Sequence, residues 1–67
     1  MALSARNRLE GTVLSVDSDG PIAEIVVDVD GTEVAATITS GSVDRLGIEV
    51  GDEVRAVVKA SNVMIEK

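Results

Sequence analysis

The sequence predicts an all-β fold, a small five-stranded OB-like barrel with one short helical turn after its third strand. Three observations lead there. Apolar and polar residues alternate with period two along most of the chain, as they do in half-buried strands. Glycine and aspartate clusters break that alternation at short intervals. The apolar residues are mostly Val, Ile, Leu and Ala, so the chain has sheet edges to hide, and closing a barrel removes them.

Each element has its own signal. Residues 9–16 read as the first strand, with Gly11 marking a bulge or a bend inside it. Asp17-Ser18-Asp19-Gly20-Pro21 is a turn cluster. Residues 23–29 form the second strand, with Ala23, Ile25, Val27 and Val29 on one face. Asp30-Gly31 is a strong two-residue hairpin signal. Residues 32–39 return as the third strand, with Val34, Ala36 and Ile38 inward. Ser42 through Gly47 then describes a single helical turn, opened by a capping serine and closed by glycine. Gly51-Asp52 is another turn, residues 53–59 are the fourth strand, Ser61 and Asn62 break it, and residues 63–65 are a short fifth strand.

Length and composition bound the rest. Sixty-seven residues make one domain, spanning 1–67. No cysteine is present to staple it and no histidine to join a metal site. Small domains without staples gain stability by oligomerising, so subunits that share a core are expected. The chain has no Phe, Tyr or Trp, which removes the platform on which single-stranded nucleic acid stacks, and a net charge of −6 repels phosphate backbones. Its apolar runs are too short to span a bilayer and it opens without a hydrophobic signal segment, so a soluble cytoplasmic protein is expected. The acidic balance suits both a salt-rich cytoplasm and simple solubility. Without His or Cys the sequence holds no nucleophile–base pair beyond a remote Ser–Lys59 combination, and no enzymatic activity is expected. Asp17-x-Asp19-Gly20 and Asp28-x-Asp30-Gly31 open like calcium loops but lack the distal glutamate, and read as acidic turns.

Against this acidic background, six basic residues stand beside twelve acidic ones, and two of the six keep unusual company. Arg6 lies in Ser4-Ala5-Arg6-Asn7, and Lys59 in Val58-Lys59-Ala60-Ser61. Between them in sequence lies Ile38-Thr39-Ser40-Gly41-Ser42-Val43. Cations, hydroxyls and free backbone amides without a carboxylate are what a small oxyanion requires. Each residue alone has a plain structural account: Arg6 a solvated charge, Lys59 a guard on a strand edge, Thr39 and Ser42 helix caps. Only their conjunction points to a ligand.

These residues carry a resemblance. Ser4-Ala5-Arg6-Asn7-Arg8-Leu9-x-Gly11-x-Val13 is similar to the opening of a molbindin, or Mop-type TOBE domain. Ala23-Glu24-Ile25, Ile38-Thr39-x-x-Ser42, Leu46-Gly47-Ile48-x-x-Gly51 and the stretch from Val54 through Lys59-Ala60-Ser61 to Ile65 continue it in order over nearly the whole chain. The resemblance implies an OB-like barrel that binds molybdate or tungstate non-enzymatically, with no catalytic cofactor. It implies storage or homeostasis as the role, and a hexamer, a trimer of dimers, with oxyanion sites at subunit interfaces. It implies oxyanion contacts from Ser4, Arg6, Thr39, Ser42 and Lys59, with the backbone around Ala5 contributing. Where the family often has serine after the lysine, this chain has Ala60, which leaves only an amide there, with Ser61 adjacent. The same domain occurs fused to regulators and transporter ATPases, so an oxyanion-responsive module acting on a partner protein is the alternative reading. A nucleic-acid-binding barrel and a purely structural oligomer are weaker alternatives.

Overall fold

The computed structural model describes residues 5–67, with side chains from Asn7 onward. Four strands, β1 (Ala5–Asp19), β2 (Ile22–Val29), β3 (Thr32–Thr39) and β4 (Glu53–Lys59), form one antiparallel sheet in the order β3-β2-β1-β4. A helix, α1 (Ser40–Leu46), follows β3, and a 3-10 turn (Ala60–Asn62) follows β4. Strand β1 is shared. Its first half pairs with β4, from Ala5↔Lys59 to Thr12↔Glu53, and its second with β2, from Thr12↔Asp28 to Asp19↔Ile22. The result is a curled sheet, a half-barrel, open between β3 and β4.

Two features of β1 make the curl. At Gly11 an added Cβ would lie 2.3 Å from the Asp28 carbonyl oxygen and 2.7 Å from Val27 Cγ1, so β2 approaches a backbone that has room for no side chain. The expected bulge is not at Gly11 itself. The register slips between Val13 and Ser15, leaving Leu14 as the extra residue. That slip sets the faces. Val13 lies opposite Val27 and Val16 opposite Ile25, an odd separation of inward residues that uninterrupted alternation forbids.

The inner face follows the periodicity. Val13, Ala23, Ile25 and Val27 are buried, and Val43 of α1 packs on them, with Val16, Val29, Ile38, Ile48 and Val54 around the rim. Ala23 faces Ile38, Ile25 faces Ala36 and Val27 faces Val34 across β2 and β3. The hairpin turn places Asp30 and Gly31 at φ 51° and 89°, and Asp28 Oδ1 accepts from the Gly31 amide at 3.1 Å. Helix α1 is closed by Gly47, left-handed at φ 65°, with Gly47 and Ile48 amides donating to the Asp44 and Val43 carbonyls. Its start is pinned to the β1–β2 turn, where the Ser40 amide and hydroxyl donate to the carbonyls of Pro21 and Gly20, each at 2.8 Å.

Several expectations are corrected. The first strand runs to Asp19, so most of the anticipated turn cluster is ladder, and only Gly20 and Pro21 turn. The helix begins at Ser40 rather than Ser42, with Thr39 as its N-cap. The fifth strand at residues 63–65 is not formed, and the sheet has four strands. The 3-10 turn that follows β4 lies against β1.

Candidate functional site

The two cation-bearing segments meet through the sheet. Ala5 is the ladder partner of Lys59, and the register then slips so that Asn7 faces Val58, which makes Arg6 the extra residue of a second bulge in β1. Asn7 locks this junction: its side-chain amide donates to the Val58 carbonyl at 3.2 Å, half-buried. Lys59 is exposed and ends β4, and Ala60 and Ser61 follow in the 3-10 turn, also exposed. Of the predicted set, Ser4 lies outside the described residues, and the Arg6 side chain does too.

The hydroxyl segment is built by α1. Thr39 Oγ1 accepts from the Ser42 amide at 3.0 Å, satisfying one of the donors a helix start leaves unpaired. The Thr39 hydroxyl donates to Ser42 Oγ at 2.8 Å, and Arg45 Nη2 donates to the same oxygen at 3.1 Å. Whichever of the two hydroxyls donates to the other, the pair spends one proton and keeps one for an outside acceptor. The guanidinium of Arg45 therefore stands a hydrogen bond away from Ser42, adding a cation to this segment.

No ladder pair or side-chain hydrogen bond among the described residues joins the two sets. Thr39 and Ser42 sit at the end of β3, which is level, through Ile22, with Asp19 at the far end of β1. Lys59 is level with Ala5 at its near end. Strands β3 and β4 are the two outer strands, and among the described residues no ladder joins them.

Sequence reasoning overlooked two residues. Asn7 was visible in the motif, and its odd position, shared with Leu9 and Gly11, marks it as a polar residue on the inward face. Arg45 was visible as the residue three places after Ser42, a helical neighbour.

The sequence profile of the TOBE domain matches residues 3–65. This chain belongs to the TOBE domain family. The TOBE domain is similar over 66 residues, at 38% identity, to a probable molybdenum-pterin-binding protein of Haemophilus influenzae, with 97% of this chain and 96% of that one aligned. A molybdate-binding protein from Sporomusa ovata superimposes with a TM-score of 0.94 at 43% identity, covering all of both chains. The cytoplasmic molybdate-binding protein ModG, in a form with molybdate bound, gives a TM-score of 0.88 at 40% identity over 96% of this chain and 46% of that one. No helix among the described residues is long and apolar enough to cross a membrane.

Proposed function

We propose that this TOBE domain binds molybdate or tungstate non-enzymatically, as a cytoplasmic store or buffer, at sites formed between subunits of a homo-oligomer. The oligomer is a hexamer, a trimer of dimers. The observation that carries the reading is the Ala5↔Lys59 ladder pair, which joins the N-terminal and C-terminal cation segments of a chain whose net charge is −6. The likeness to molybdate-binding proteins supplies the ligand class.

The chemistry fits. A tetrahedral dianion loses its hydration shell only where donors replace it. Arg6 and Lys59 match its two charges. Ser4 and the one free proton of the Thr39–Ser42 pair supply O–H donors, and amides of Ala5, Ala60 and Ser61 supply N–H donors. Charge-assisted hydrogen bonds are worth about 1.5–3 kcal/mol each, so four or five of them, less the cost of capture, reach micromolar affinity or better. A set made only of donors disfavours phosphate, which still carries an O–H at neutral pH. The opposite-corner placement of the Thr39–Ser42 and Lys59 groups supports a site shared between protomers, one giving each set.

Equilibrium dialysis against molybdate and tungstate tests the reading. Saturable uptake that phosphate does not compete away is the expected result, and retention of neither metalate at micromolar protein overturns it.

A further inference from the structure

A hydroxyl is not a donor only. It carries one proton and two lone pairs, and a turned serine accepts from a protonated anion as readily as it donates to a bare one. A site that takes molybdate and refuses hydrogen phosphate therefore needs its hydroxyl lone pairs filled from within the protein. At Ser42 they are filled. Its Oγ accepts from the Thr39 hydroxyl at 2.8 Å and from Arg45 Nη2 at 3.1 Å, which accounts for both lone pairs. Its own proton is then all that it can present. Thr39 Oγ1 in turn accepts from the Ser42 amide at 3.0 Å. Without Arg45 the bonds between Thr39 and Ser42 leave two lone pairs open, one on each hydroxyl. With Arg45 the open one on Ser42 is gone.

We propose that Arg45 is the specificity-determining residue at the hydroxyl end of the site: by occupying the last lone pair of Ser42 it makes that serine present a proton, and so excludes oxyanions that carry one. The inference deepens the oxyanion reading above and rests on it. Arg45 stands in the last turn of α1, where a cation usually serves the final carbonyls of its helix. Here it turns back instead. Its Nη1 passes over Gly41, 3.6 Å from where a Cβ would stand, and Nη2 reaches the residue three places before it. Among the described residues the hydrogen bond from this guanidinium goes to a hydroxyl and not to a carboxylate, in a chain with twelve acidic residues and six basic ones. Its charge stays uncancelled beside the proton that Ser42 presents, and it polarises that O–H toward a dianion.

Sulfate separates the loss of a cation from the opening of a lone pair, because it is a dianion without a proton at neutral pH. Molybdate is titrated calorimetrically into the wild-type chain and into Arg45→Ala and Arg45→Met, alone and against sulfate or phosphate as competitor. Both variants are expected to lose molybdate and sulfate affinity by a common factor. Phosphate is expected to gain on molybdate by roughly 3–10-fold, the worth of the one hydrogen bond it can now donate. Arg45 is exposed, so both melting temperatures are expected within about 4 °C of wild type. A phosphate-to-molybdate ratio that stays at its wild-type value in both variants overturns the proposal and leaves metalate binding standing. So does a sulfate ratio that moves as far as the phosphate ratio, which marks Arg45 as a charge and nothing more. Failure of both variants to fold makes Arg45 structural and overturns it too. A wild-type chain that takes up neither molybdate nor tungstate removes the oxyanion reading itself, and the proposal with it.

Discussion

Gly11 shows how much one missing atom can control. Its Cβ would overlap backbone oxygen, which cannot swing aside as a long side chain can. Gly11→Ala is therefore expected to destabilise the domain by about 3 kcal/mol, at the upper end of the overpacking range. In a chain of this size each kcal/mol lowers the melting temperature by about 4–8 °C, which thermal denaturation followed by circular dichroism measures. Thr39 caps α1 through its hydroxyl oxygen, the same group that the proposed site would use. Thr39→Ala removes the N-cap and is expected to cost about 1 kcal/mol of stability, whereas Thr39→Ser keeps the capping oxygen and costs only a few tenths. If the Thr39–Ser42 pair also serves the anion, Thr39→Ala lowers molybdate affinity while Thr39→Ser retains it, as isothermal titration reports. Lys59 lies at the exposed end of its strand, so Lys59→Ala is expected to leave the melting temperature within about 2 °C and reduce molybdate affinity by roughly 10–100-fold, the loss of one charge-assisted contact.

Among the elements, strands β2 and β3 were fully legible in sequence, because each alternates cleanly and Asp30-Gly31 fixes their register. The cation and hydroxyl segments were legible too, since they are contiguous in sequence. What escaped was whatever depends on a neighbour. The slip at Leu14 comes from fitting β1 to β2 and has no residue signature of its own, while Gly11, the visible irregularity, serves close approach instead. Thr39 displaced Ser42 as the cap because Ser40 is held by the β1–β2 turn, which extends the helix by two residues. The fifth strand had the right composition and no partner, and a strand is a relation between two segments rather than a property of one. Ile25→Ala, at the centre of the inner face, is expected to cost about 2–5 kcal/mol by chemical denaturation, more than any change on β4, whose inward residues are only half-buried.

For the whole molecule, the small core and the open side lead us to expect a stability that depends on protein concentration. When association covers apolar surface that the single chain exposes, the folded state is favoured by mass action. The melting temperature is expected to rise by several degrees between low-micromolar and hundred-micromolar protein, and a constant value across that range would indicate a self-sufficient monomer. The Leu14 slip also bears on how this polypeptide can change in length. Because the surplus residue stands outside the ladder, losing it would leave Val13 opposite Val27 and Val16 opposite Ile25 and restore plain alternation, at the cost of the local bend. Losing a paired residue such as Val16 would instead turn its charged neighbour Asp17 toward the oily interior, whereas the loop at Asp30-Gly31 lies beyond the ladder and is free to grow. Descendants of this sequence should therefore vary in size at the hairpin tip and, along this strand, only at the surplus position.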